Sequence, residues 1–318
     1  MKTHRAPVLA LSTAAFALAV TVLPAQAGKF CGGDVECACG DTVSGVAVLT
    51  DDLGVCTGLG LGVSSGAVLD CAGHTVTGSN LPGAWYGIQL DGASGATVRN
   101  CKVTLFRRGI RIRGGGNNVI RNNNSFKNKY GIDVAEQTTG NLILRNVVTD
   151  NRDEGIHVGS GADGNTINGN QILRSKNENL YFLDANNCTV ARNTIAGSGQ
   201  ASIYVKESDG NVFRSNSIAD GSVHVRGDSS GNVFLSNRVT GYGFFFQAIQ
   251  DPTTLVWTFP HDNRVAGGWI HKADFCFRFF GAYDNSATAV RTDGACVPVD
   301  SGSLGGQDPT GNTVSFAK

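Results

Sequence analysis

The chain has 318 residues, and its 26 Lys plus Arg balance 26 Asp plus Glu, so overall charge offers no field for nucleic acid or an anionic membrane surface. Forty-three glycines against seven prolines and one methionine suit many tight turns more than packed helices. All nine cysteines follow residue 27, which fits an oxidising compartment.

In chain order, Lys2, His4 and Arg5 precede an apolar run from Val8 to Val22, and "PAQA" at 24–27 ends in a small-x-small pattern. This reads as a secretory signal peptide over residues 1–27, cleaved after Ala27, because a spanning helix needs about 20 apolar residues. No later segment is long and apolar enough to span a bilayer, so a secreted or periplasmic location is expected. Residues 28–80 carry five cysteines and read as a disulfide-rich cap with the first coils. There "VLDCAGHTVTG" aligns with the later "VRNCKVT", placing Asp70 and Cys71 over Asn100 and Cys101 and predicting a Cys71–Cys101 disulfide. The odd count leaves a thiol over, and the isolated Cys188 is expected to be a buried, unpaired side chain.

Residues 81–250 repeat. The unit Asn, apolar strand, Asn appears as "NVIRNN" from 118, "NLILRN" from 141, "NTINGN" from 165, "NVFRSN" from 211 and "NVFLSN" from 232. Its closing asparagines, from Asn100 to Asn237, are spaced by 23, 23, 24, 23, 23 and 21 residues. A second unit keeps step with it, as "GIQL" at 87, "GIRI" at 109, "GIDV" at 131, "GIHV" at 155, "NLYF" at 179, "SIYV" at 202, "SVHV" at 222 and "GFFF" at 243. Short strands with period-two alternation, separated by Gly/Asn/Asp turns at this period, predict an all-β, single-stranded right-handed parallel β-helix. Stacked coils bring equivalent residues roughly 4.8 Å apart, with asparagines laddered at a bend. Residues 251–318 lose the pattern and read as capping coils and a tail, with a Cys276–Cys296 clasp.

A filled β-helix keeps its chemistry outside. In G-I-x-V the x side chain points outward, and reading x down the stack gives Gln89, Arg111, Asp133, His157, Tyr181, Tyr204, His224 and Phe245. Beside this row lie Trp85 and Tyr86, Arg107 and Arg108, Lys129 and Tyr130, with Lys206 following Tyr204. Nine Lys or Arg fall between Gly92 and Ile132 with no acid among them, a local basic patch in a neutral protein. An anionic polysaccharide would find cations for its carboxylates and rings for its sugar faces there. Proton abstraction beside a uronate carboxylate needs that carboxylate neutralised and a base poised. Arg111 suits the first task, His157 or Tyr130 the second, and Asp133 would orient the base. Asp150, Asp153 and Glu154 form an oxygen-rich group that could take Ca²⁺, although no calcium-loop spacing surrounds it. Copper finds scattered histidines and no methionine beyond Met1. No cofactor is therefore assigned from the residues, and nothing fixes an oligomeric state.

The stretch "YGIDVAEQT" from Tyr130 resembles the active-site motif of the secreted mannuronan C-5 epimerases, Tyr-Gly-x-Asp-Pro-His-Glu-Gln-Thr, and the repeat resembles the pectin-lyase-like β-helix group. The resemblance implies catalytic roles for Tyr130 and Asp133. Ala135 stands at the family's histidine and Val134 at its proline, and the family's further aspartate falls at Gly159. Two readings follow: a polysaccharide lyase or epimerase acting on a uronate-containing glycan, and a non-catalytic glycan-binding, adhesive or structural β-helix. An accessory role in periplasmic metal-enzyme maturation finds no support in the residue inventory.

Overall fold

The computed structural model describes residues 29–80, 82–159, 161–293, 297–304 and 306–317; the expected signal peptide and Cys296 lie outside the described residues. Each regular coil has three short strands, and like strands pair in parallel from coil to coil. The chain is an all-β parallel solenoid of about 12 turns, with coils about 23 residues apart and no helix among the described residues. No described helix is long and apolar enough to cross a membrane. One sheet, the site sheet, runs through Tyr86–Asp91, Arg108–Arg113, Tyr130–Ala135, Ile156–Gly159, Leu180–Leu183 and Ile203–Lys206, then through longer strands at Ser217–Arg226 and Arg238–Gln247.

Two forces hold the coils. Inward side chains fill the cylinder: Ile110, Ile132, Ile156, Leu180, Ile203 and Val223 form one fully buried column. Toward the carboxy-terminal half the filling turns aromatic, and Phe213 stacks on Phe234 at 4.6 Å between ring centroids. Asparagine amides hold the bends. In the ladder Asn123, Asn146, Asn170, Asn193, Asn216 and Asn237, each backbone N–H and Nδ2 donates to the next Oδ1; for Asn170 to Asn193 the distances are 2.8 and 3.0 Å. Nδ2 donates its second proton to a carbonyl, Ile143 for Asn170 at 2.9 Å. The buried amides are thus satisfied, as a water-free bend requires. The tightness shows in the residue before each: Asn122, Arg145, Arg192, Ser215 and Ser236 all take φ of 52–55°.

One detail departs from the sequence reading. Asp70 lies opposite Arg99 rather than Asn100 in the strand register; its carboxylate bonds both Arg99 and Asn100, and the Cys71–Cys101 disulfide forms as expected. Coil pairing continues past residue 250. A ladder running Asn211, Asn232, Asn263, Asn285, Asn312 carries the solenoid on. A small hairpin at 249–258 stretches one spacing to 31 residues and hides the continuity from a fixed-period search. Cys188 is buried and free, as expected, and fills an asparagine place in that ladder, donating its N–H to Asn211 Oδ1. The cap is stitched by Cys31–Cys37 and Cys39–Cys56. Cys276 is buried and disulfide-bonded.

Candidate functional site

The outward row forms as its spacing predicts. Gln89, Arg111, Asp133, His157, Tyr181, Tyr204, His224 and Phe245 are successive register partners, and Arg278 continues them. The strand before His157 can sit this close because Gly131 and Gly155 lack side chains; a Cβ on Gly131 would lie 2.5 Å from the Gly155 carbonyl oxygen.

The centre of the row is an ion-paired knot. Asp133, almost fully buried, accepts from His157 Nδ1 at 2.8 Å on one oxygen and from Arg108 on the other, with Arg111 Nε 3.5 Å away. Burial alone would raise the Asp133 carboxyl; the bond to His157 and the charges of His157, Arg108 and Arg111 outweigh it and hold it below the ordinary carboxylate value. An ionised carboxylate only accepts, so Nδ1 is the donor and carries a proton in this bond, which leaves Nε2 as the ring nitrogen not engaged by Asp133. That imidazole leans along its strand: a Cβ on Gly159 would lie 3.0 Å from His157 Cε1 and Nε2. Gly159 is the register partner of Ala135, so the ring tip enters the notch left by these two small residues. Tyr130 closes one side, 5.9 Å from His157 between ring centroids, and Tyr181 stacks on the other at 5.5 Å and 16°.

Arg111, read as facing a substrate carboxylate, is buried and engaged, donating to Tyr86 Oη at 2.6 Å and Glu136 Oε1 at 2.5 Å. Other cations gather at the head of the row. A cleft of about 490 Å³ is floored by Pro82, Ala84 and Phe106 and rimmed by Trp85, Arg107, Lys129 and Arg152. Arg107 stands over the Trp85 ring at 4.6 Å, and Lys129 over the Tyr130 ring at 4.8 Å.

Beyond Tyr181 the row becomes rings. Tyr181 and Tyr204 stack at 5.3 Å, followed by His224 and Phe245. His224 is packed beneath them with Nε2 2.7 Å from Ser222 Oγ; burial pushes its imidazole down to about 4, so it serves as a neutral ring. Lys206 lies one column over, with Nζ 3.6 Å from Glu207, and faces the Arg226 position on the next coil. Arg226 stands over both Tyr204 and Phe245, and Arg278 over Phe275. Neither arginine was singled out from sequence, although each sits at a fixed offset from the repeat: Arg226 two residues past His224, and Arg278 one coil past Phe245. Glu154, read both as an oxygen donor and, with Asp153, as lying just before its strand, falls in the site-sheet column of Tyr130.

Residues 70–243 match the family model described as periplasmic copper-binding protein, NosD. The chain belongs to the NosD family. No curated protein matches it. Among solved structures, the catalytic domain of a GH87 alpha-1,3-glucanase in complex with nigerose gives a TM-score of 0.59 at 14% identity, covering 92% of this chain and 64% of that one. The A-module of the Azotobacter vinelandii mannuronan C-5 epimerase AlgE4 gives 0.54 at 15% identity, covering 88% and 85%. The periplasmic alginate epimerase AlgG gives 0.47 at 13%, and the chain spans 50% of its length. At these identities the likeness shows the β-helix fold.

The donor set of this NosD-family chain does not fit the copper of the family's description. Among the described residues no three His, Cys, Asp or Glu side chains lie close enough to hold a metal ion. Cys188 is sealed in the ladder with its thiol pushed up to about 11 by burial, whereas metal ligation needs a thiolate. The acidic group read for Ca²⁺ is dispersed: Asp150 pairs with Arg174 at 2.8 Å, and Asp153 with Lys129 at 3.3 Å.

Proposed function

We propose that this chain is an exported, carbohydrate-active β-helix protein of the periplasm or cell exterior that lays an acidic, uronate-containing polysaccharide along the row from Trp85 to Phe245. His157 Nε2 takes the proton at C-5 of the bound uronate, leading to β-elimination or C-5 epimerisation. The observation that supports this reading is the 2.8 Å bond from His157 Nδ1 to buried Asp133, which fixes the imidazole with Nε2 turned into the Ala135–Gly159 notch. Orientation by a carboxylate is what makes a histidine an effective base. Lys129 and Arg107 at the cleft rim supply the cations for substrate carboxylates, and Tyr181 and Tyr204 supply ring faces for the following sugars. Two solved structures of like fold with TM-scores above 0.5 are titled as a mannuronan C-5 epimerase module and an alpha-1,3-glucanase domain, which agrees with a glycan partner. Three disulfides and a family described as periplasmic agree with export.

A second, non-catalytic reading is favoured by the capture of Arg108 and Arg111 within the protein's own ion pairs, which removes the two cations nearest His157 from solvent. Incubation with alginate, pectate and polygalacturonate separates the two. Ultraviolet absorbance of an unsaturated product marks elimination, and solvent deuterium entering C-5 marks epimerisation. His157→Ala is expected to lower either rate by about 10²- to 10⁴-fold with affinity unchanged. Binding without turnover in the wild type would establish the second reading, and neither binding nor turnover would sink both.

A further inference from the structure

The dyad supplies a base but no acid, and elimination needs one: the departing sugar leaves as an alkoxide unless its oxygen is protonated. The column beside the dyad carries a candidate. Glu154 precedes His157 by three residues as Tyr130 precedes Asp133, and Gly131 N–H donates to Glu154 O at 3.1 Å, so Glu154 stacks directly on Tyr130. Its Oε2 is buried and has no hydrogen-bond partner. The groups facing it are mostly acidic or neutral. Asp153 is its chain neighbour; Glu178 lies on the next coil, where Gly155 N–H donates to Glu178 O at 3.0 Å; Tyr130 and Tyr181 flank it; His157 is the one basic group acting on it. Lys129, the nearest amine in the column, is directed to Asp153. An ionised Oε2 buried with no donor, beside two other carboxylates, is costly, whereas a carboxylic acid needs a single acceptor.

We propose that Glu154 is the proton donor of the site, delivering its carboxyl proton to the glycosidic oxygen while His157 takes the C-5 proton, so that the reaction is β-elimination. This rests on the catalytic reading above and decides between its two outcomes. The electrons of the C-5–H bond form the C-4–C-5 double bond, the C-4–O bond breaks with its pair on oxygen, and that oxygen takes the proton of Glu154. The products are an unsaturated sugar and a new chain end; imidazolium and carboxylate then exchange protons with water. Burial, then the charge of Asp153, pushes the Glu154 carboxyl up to about 7, near the optimum for an acid working at neutral pH. Asp133, one coil away, is held ionised by its cations, so two carboxyls in one site are driven to opposite protonation states, the pattern that separates acid from base partner.

The test is Glu154→Gln, which keeps size and removes the titrating proton. Formation of unsaturated product should fall about 10²-fold or more, with glycan affinity unchanged, while deuterium exchange at C-5 persists because His157 and Asp133 are intact. In the wild type, cleavage should decline as pH rises through about 7, and residual cleavage by the variant should lack that limb. Removing the raised carboxyl should also make the variant more stable than the wild type above neutral pH, since the folded wild type there gives up a proton it binds more tightly than the unfolded chain does. Wild-type cleavage and an unchanged pH profile in Glu154→Gln would overturn the assignment of Glu154 alone. Epimerisation without cleavage by the wild type would likewise overturn it and leave His157 as base. Failure of His157→Ala to lose turnover would instead overturn the reading beneath.

Discussion

The outward row is one column on one scaffold, yet its two halves are held in opposite ways. From Tyr86 to His157 the side chains are heads bound to heads: Asp133 ties Arg108, Arg111 and His157, and Arg111 ties Tyr86 and Glu136. From Tyr181 to Phe245 they are rings packed on rings, stacked for Tyr181 and Tyr204 and tilted beyond, with centroid spacings of 5.1–5.8 Å. The spacing is set by parallel pairing and is the same throughout, near 4.8 Å between backbones. The difference is therefore entirely one of side chain. At that spacing opposite charges form a rigid, partly dehydrated network suited to positioning a base, and rings form a platform that is tolerant of what lies on it.

The widest separation between the halves should appear on removing the knot's anion. Asp133→Ala leaves the guanidinium groups of Arg108 and Arg111 buried without their shared carboxylate, and breaking one partner of a buried pair costs about 3–5 kcal/mol. Thermal unfolding should show a large drop in midpoint, and turnover should vanish with it. Acid titration sharpens the same point. The folded pKa of Asp133 lies below its ordinary 3.8, so its stabilisation is complete above that value and is lost as pH falls through the lower folded value. Asp133→Asn should flatten the acid limb of the stability curve below about pH 4, read by circular dichroism across a pH series. An acid limb identical to the wild type would mean that the knot contributes nothing.

How much of this was legible in the sequence follows from the period. A β-helix turns a fixed spacing into contact, so the row from Gln89 to Phe245, the asparagine ladder and the Cys71–Cys101 bridge could all be read from recurrence. What recurrence does not carry is side-chain direction. Arg111 was assigned to a substrate carboxylate because its position faces outward, but an outward arginine flanked by Tyr86 and Glu136 on neighbouring coils folds back onto them. His157 lies one coil over from Ala135 and two positions earlier in register, and the lean of its ring over Gly159 is likewise a matter of side-chain direction. Glu154 stood in the quoted sequence as one of three acids; its burial without a donor is a property of packing. The carboxy-terminal coils were read as capping coils without their asparagine ladder, because one hairpin broke the period.

An intermediate effect should fall equally on both halves. Asn170→Ala removes the Oδ1 that accepts the backbone N–H and Nδ2 of Asn146 at 2.8 and 3.0 Å, orphaning two buried donors. A cost of about 1–3 kcal/mol follows, measured by denaturant titration. Asn146→Ala, under the charged half, and Asn216→Ala, under the aromatic half, should cost about the same. Unequal costs would show that the halves differ in their scaffold and not only in the groups they display.

The smallest effect belongs to the aromatic half. Tyr204→Leu removes a ring lying 5.3 Å from Tyr181 and 5.8 Å from His224, together with the Arg226 guanidinium's ring partner at 5.4 Å. Leucine refills much of the apolar contact, so stability should change little. The loss should instead appear in glycan affinity, by about 0.5–1.5 kcal/mol or roughly 2- to 10-fold in Kd, because a stacking face contributes in that range. Calorimetric titration with uronate oligomers long enough to reach from Trp85 to Tyr204 would detect it, and oligomers too short to reach Tyr204 should show no difference. If Tyr204→Leu lowered the thermal midpoint as far as Asp133→Ala does, the rings would be structural struts like the knot, and the platform assigned to them would lose its basis.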